Sequence, residues 1–118
     1  MAQEKNFENR IKKFLEDEGC WFVKFFANAY TKSGIPDLLV CCNGYFVAVE
    51  VKAPNGKPSE LQKWNIEKIN QSRGYGVILY PDQFEDFKKL IYYLKDCQEL
   101  NAIYGVARIN ERWVNQCK

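Results

Sequence analysis

Hydrophobic positions along the chain recur with a period that switches from helical to extended and back. Phe7, Ile11, Phe14 and Leu15 fall at helical spacing between residues 4 and 18, and Gly19 follows as a stop, so the pattern predicts an amphipathic first helix. Residues 20–26 form a short, nearly continuous apolar and aromatic run that predicts a buried strand. Asn28, Thr31, Ser33, Gly34 and Pro36 are turn formers, and residues 27–36 read as a loop. Leu38–Cys42 and Tyr45–Val51 are β-rich runs separated by Asn43-Gly44, the pair preferred in a two-residue type I′ turn. A hairpin follows from that.

After a polar loop over residues 53–58, Ser59 opens a second helix that carries Leu61, Trp64, Ile66 and Ile69 and ends before Gly74. Residues 75–80 predict another strand. Asp82 is then placed to cap a third helix, in which Phe84, Phe87, Leu90, Ile91 and Leu94 keep the helical period. Residues 98–118 have no clear period; residues 102–109 read as a possible last strand. The order helix, three strands, helix, strand, helix predicts an α/β fold, a mixed β-sheet flanked on both faces by helices.

Composition adds bounds to this pattern. The chain has 118 residues, 47% of them hydrophobic and 15% aromatic, which predicts one domain with a single core over residues 1–118. No apolar run approaches the ~20 residues that span a bilayer, and the N-terminus lacks the basic and apolar regions of a signal peptide, so a soluble intracellular protein is expected. Five cysteines form no CxxC pair, and their odd number fits reduced thiols better than a disulfide framework. Adjacent Cys41 and Cys42 would point to opposite faces of a strand, which argues against a shared zinc site.

The chain contains no histidine. That excludes Ser-His-Asp and Cys-His nucleophilic sites, histidine-ligated zinc and imidazole acid–base chemistry. Any catalysis must run on carboxylates, lysines, hydroxyls, thiols or a bound ion. The net charge of +2 is too mild to identify a nucleic-acid binder, so the placement of the charges has to decide.

The hairpin register makes that placement specific. With Asn43 and Gly44 as the turn, Cys42 faces Tyr45, Val40 faces Val47, and Asp37 falls opposite Glu50. Opposed residues share a sheet face with Cβ atoms ~5 Å apart, and two bare carboxylates so placed repel each other. A cation between them is expected, and hard oxygen ligands at this separation suit Mg²⁺ or Mn²⁺. Lys52 lies two residues past Glu50 and so shares its face. Pro36, which lacks a ladder donor, belongs at the strand start and puts Asp37 near the loop. A Glu-x-Lys pair on a strand is ordinarily an exposed surface pair. Here Glu50 and Lys52 interrupt the run from Tyr45 to Ala53, whose other members are apolar on both faces, so their charges are expected to be partly buried.

Gly34-Ile35-Pro36-Asp37 followed, after a short hairpin, by Glu50-Val51-Lys52 resembles the PD-(D/E)XK nuclease motif, whose fold is restriction-endonuclease-like. Ser59-Glu60-Leu61-Gln62-Lys63-Trp64 narrows the resemblance to the VRR-NUC branch, over about residues 4–95. In that branch the Asp, the Glu and the main-chain carbonyl after the Glu bind metal, and the Lys assists the attacking water. The resemblance thus implies Asp37, Glu50, the Val51 carbonyl and Lys52. An acidic residue of the first helix usually joins them: Glu8 matches best and Glu4 is the fallback, although acids are favoured early in any helix by its dipole. Gln62 also has a capping-box spacing from Ser59, and a helix N-terminus aimed at the site would favour phosphate.

The implied function is Mg²⁺-dependent hydrolysis of phosphodiester bonds, with Mn²⁺ as a substitute, in branched DNA such as Holliday junctions or flaps. Stand-alone members of the branch are phage-like and similar to Holliday-junction resolvases, which act as two-fold dimers. A domain this small can hardly span a junction alone, so a homodimer is expected, with residues 98–118 as one candidate interface. Ser33, Lys24, Lys32, Lys57, Lys63 and Arg73 are candidates for phosphate contacts, though turn formation for Ser33 and solvated faces for the cations are the commoner outcomes. A non-catalytic nucleic-acid-binding module, or a structural or interaction domain, on the same fold is the alternative.

Overall fold

The type I′ turn organises the hairpin as its two residues require. In a computed structural model, which describes residues 2–30, 33–97 and 111, Asn43 and Gly44 both have positive φ, 52° and 87°. The turn fixes the pairing of β2 (Leu38–Cys42) with β3 (Tyr45–Val51): Cys42 pairs with Tyr45, Val40 with Val47 and Leu38 with Val49. That is the expected register. Asn43 also donates from its side-chain amide to the Leu94 carbonyl at 2.9 Å, which ties the turn to the far end of the last described helix.

Around this hairpin the sheet has the order β1-β2-β3-β4, with β1 (Trp21–Lys24) antiparallel to β2, and β4 (Tyr75–Leu79) parallel to β3. The parallel pair requires a crossover, supplied by α2 (Glu60–Gln71). The other helices are α1 (Ala2–Asp17) and α3 (Phe84–Asp96). This is the predicted order of elements, a mixed sheet between helices.

Alternation along the strands sorts the two faces. Leu38, Val40, Val47, Val49 and Val51 are fully buried with Ile11 and Leu15 of α1 and Ile91 and Leu94 of α3, and Phe7 and Phe84 meet edge to face at 5.6 Å. This layer is the core. The opposite face is covered by α2 over β3 and β4, where Ala48 is buried and a Cβ at Gly76 would lie 3.1 Å from the Ile66 carbonyl. Small residues let the helix come close. On the same face Trp21 is exposed, and Phe46 is exposed in a groove beside Trp64, Lys68 and Ile69 of α2.

Two expectations need correction. Residues 20–26 do not form a buried strand: β1 is shorter, lies at the sheet edge, and has Trp21 and Val23 exposed, because α2 does not extend over it. Nor does Asp82 cap the third helix. Pro81 opens a 3-10 turn, Pro81–Gln83, the Gln83 side chain accepts from the Tyr80 amide at 3.3 Å, and α3 starts only at Phe84. Helix α2 ends as predicted before Gly74, by an unexpected device: Arg73 takes the left-handed conformation (φ 73°), while Arg73 N bonds to Asn70 O and Gly74 N to Ile69 O. Cys42 is buried and Cys41 exposed, so the pair does point to opposite faces. The candidate strand at residues 102–109 lies outside the described residues, as does Lys32. No described helix is long and apolar enough to cross a membrane.

Candidate active site

The charged cluster forms where β2 begins and β3 ends. Buried Pro36 stands just before the sheet, and Asp37 occupies a bend one residue ahead of β2. Asp37 extends the ladder with mixed means. Its carbonyl accepts from Phe25 N at 2.8 Å, and its carboxylate Oδ2 accepts from Val51 N, also at 2.8 Å. The side chain therefore supplies the acceptor that a further β2 residue would have supplied. The same register carries Asp37 alongside Glu50, which is only 3% exposed on the α2 side of the sheet.

Glu50 Oε2 lies 3.3 Å from Lys52 Nζ, and Lys52 is itself buried. The Tyr80 hydroxyl donates to the Gly56 carbonyl at 2.9 Å and so pins the loop after β3 near the Lys52 stem. Glu50 Oε1 is different: it is buried and has no hydrogen-bond partner among the described residues. Burial first, then the negative charge of Asp37, push the Glu50 carboxyl up to about 7, against the opposing pull of Lys52. An unpartnered carboxylate oxygen in a protein interior is costly.

A second arm of the cluster comes from α1 and β1. Glu8 is buried on the core side of α1 beside Phe7 and Ile11. Lys24, the last residue of β1, places Nζ 2.7 Å from Glu8 Oε1 and 3.2 Å from Asp37 Oδ1, while Lys12 Nζ lies 3.1 Å from Glu8 Oε2. Burial alone would raise the Glu8 carboxyl, but hydrogen bonds from Lys24 and Lys12 outweigh it and hold the group below the ordinary carboxylate range. Lys24 is correspondingly raised: burial works against its charge, and the two carboxylates more than restore it.

Of the residues singled out from the sequence, Asp37, Glu50 and Lys52 are therefore together at one end of the sheet, and Glu8 joins them through Lys24. Glu4 contributes only a weak repulsion on Glu50. Gln62 sits in the capping box of α2, where its Oε1 accepts from Ser59 N at 2.9 Å and its own N–H donates to Ser59 Oγ at 3.1 Å. Ser33 is held by its main chain, whose carbonyl accepts from Asn65 Nδ2 at 3.1 Å. Next to it, Gly34 has φ 77°, and a Cβ there would lie 2.8 Å from the Leu61 carbonyl carbon. Only glycine lets this loop press on α2. Lys63 is paired with Glu60, and Lys57 and Arg73 are exposed. Among the described residues no three acidic or thiol side chains are grouped closely enough to chelate an ion together.

Lys24, expected from the sequence only as a candidate phosphate contact, is instead a central member of the cluster. A signal existed: it interrupts the apolar run of residues 20–26, and its pairing with Leu38 puts it beside Asp37.

Taken with its mixed four-stranded sheet and flanking helices, the chain falls in the restriction-endonuclease-like class of nucleases. Residues 2–80 match the family described as archaeal Holliday junction resolvase (Hjc), and the chain belongs to that family. No curated protein and no solved structure matches it. The matched span contains α1, all four strands and α2, and thus every member of the charged cluster.

Proposed function

We propose that this protein is a Mg²⁺-dependent endonuclease that hydrolyses phosphodiester bonds in branched DNA, with Asp37 and Glu50 as the metal-holding carboxylates. The supporting observation is Glu50 Oε1, a buried carboxylate oxygen without a donor, beside a second carboxylate that raises its proton affinity. A divalent cation would satisfy that oxygen and relieve the repulsion at once. These two carboxylates and the Val51 carbonyl therefore fit the ion, whereas Glu8, expected from the sequence as a further ligand, is held by Lys24 and Lys12 and does not group with them closely enough to chelate it. When bound, such an ion would lower the pKa of a water and neutralise the scissile phosphate.

The chain's own groups have separable tasks in this reading. Lys52, held 3.3 Å from Glu50 Oε2, presents an ammonium that orients the attacking water and steadies charge developing on the phosphate. The N-terminus of α2, next to the loop at Ser33 and Gly34, offers its first main-chain donors to an adjacent phosphate, while Gln62 holds that end of the helix through the capping box. Mn²⁺ is expected to replace Mg²⁺.

The same reading takes residues 1–118 as one nuclease domain with its core at about 4–95, near the VRR-NUC branch by the Ser59-to-Trp64 segment. It further takes the active form as a homodimer, since a two-fold junction presents two equivalent strands. Flapped DNA is a second substrate shape to compare.

A non-catalytic junction-binding module is the rival reading, and one observation favours it: Lys24 and Lys52 already neutralise the acids. The test is incubation of four-way, flapped and linear DNA with Mg²⁺, using wild type, Asp37→Ala and Lys52→Ala. Cleavage of branched DNA by wild type and its loss by a factor of about 10² or more in both variants supports the enzyme. Junction binding without cleavage favours the module.

A further inference from the structure

Lys24 poses a problem that the proposed site leaves unsolved. Asp37 Oδ2 already accepts from Val51 N at 2.8 Å, and Oδ1 faces Lys24 Nζ at 3.2 Å. Glu8 Oε1 is held by the same ammonium at 2.7 Å. A divalent ion on Asp37 has to share an oxygen that Lys24 holds, and a single and a double positive charge cannot settle on one carboxylate without strong repulsion.

We propose that Lys24 is an internal counter-ion, seated in the metal-free protein where the cation's charge is needed, and that it withdraws from Asp37 when metal binds. Lys24 therefore sets the affinity for metal. The inference rests on the metal-dependent reading above.

Three features fit this role. The residue ends edge strand β1 and its side chain is partly exposed, so the ammonium can move without unpacking the core. An alternative seat is at hand, since Nζ lies 6.0 Å from the centroid of the exposed Phe26 ring. Lysine also suits a contact that must be released: it is a point charge on a flexible stem, whereas an arginine fork would bind both carboxylates more firmly. Lys12 provides the contrast, because it pairs with Glu8 alone, one helical turn away, and has no ion pair with Asp37.

The experiment is calorimetric titration of the full chain with MnCl₂ at pH 8, after removal of metal with EDTA, with the Mn²⁺-induced rise in Tm as a second readout. Lys24→Gln is expected to bind Mn²⁺ about tenfold more tightly than wild type, the size expected from removing one charge ~5 Å from a divalent ion under water-like screening. Its Mn²⁺-induced Tm rise should be larger too. Lys24→Arg should bind more weakly than wild type, and Lys12→Gln should stay within about threefold of it.

Equal or weaker binding by Lys24→Gln while wild type binds overturns the inference and leaves the metal-dependent reading standing. Absence of Mn²⁺ binding in wild type and every variant overturns both. Should Lys24→Gln not fold, Lys24→Arg decides: affinity equal to or above that of wild type overturns the inference.

Discussion

Replacing Glu50 by glutamine should stabilise the metal-free protein, and should do so only at neutral and alkaline pH. The carboxyl is 3% exposed and is pushed from an ordinary 4.5 up to about 7 by burial and by Asp37. A group whose folded pKa is raised contributes stability that is fully present below its unfolded pKa and is lost as pH rises through the folded value. For Glu50 the loss runs from about pH 4.5 to just above pH 7. Raising the carboxyl from 4.5 to about 7, at ~1.4 kcal/mol for each tenfold gain in proton affinity, amounts to about 3.5 kcal/mol over the whole titration. Glutamine keeps the shape and does not titrate. The stability of Glu50→Gln minus that of wild type should therefore grow by about 2.5 kcal/mol between pH 5 and pH 8. Comparing the two pH values cancels any constant offset from the new amide. Urea unfolding in EDTA measures it. A difference that is flat with pH, or that shrinks towards pH 8, would refute the claim that ionised Glu50 is a buried, under-compensated charge. Saturating Mg²⁺ should reverse the ranking, because an ion that needs the ionised carboxylate stabilises wild type and not the variant.

Two further perturbations test how the site is held. Gly34→Ala combines a positive φ with a Cβ 2.8 Å from the Leu61 backbone, so it should destabilise by about 1–3 kcal/mol and reduce cleavage, as followed by Tm and junction assays. An unchanged Tm would show that the loop at Ser33 can leave α2 freely. Arg73→Gly should instead stabilise by about 1 kcal/mol in urea, because the left-handed turn that ends α2 currently uses a residue with a Cβ. A loss of stability there would mean that the Arg73 side chain contributes more than its conformation costs.

The parts of this fold that could be read in the sequence are those fixed by local chemistry. Asn43-Gly44 admits essentially one tight turn, the turn fixes a register, and side-chain period two then brings Asp37 and Glu50 to one face. The capping box at Ser59 and Gln62 is equally local. What escaped was decided by neighbours remote in sequence. The apolar run of residues 20–26 looked buried, yet whether a strand lies at an edge depends on which helix covers it, and α2 stops short of β1. Asp82 had the chemistry of a cap but lost to Pro81 and to the Gln83 side chain.

Lys24 escaped for a more instructive reason. The expectation that opposed carboxylates need a positive charge was sound, but it was assigned wholly to a bound ion. The chain carries its own positive charges to the same place: Lys24 to Glu8 and Asp37, and Lys52 to Glu50. The balance is incomplete at one atom, Glu50 Oε1, and that remainder distinguishes the cluster from an ordinary buried ion-pair network. A network built only for stability gains by satisfying every oxygen, because each one left bare costs free energy. Leaving one bare beside a second acid is costly in the metal-free protein, a cost that the proposed cation would remove. In the metal-dependent reading proposed above, that asymmetry would give the site its affinity for a cation, and the lysines would offset the acids in the metal-free protein.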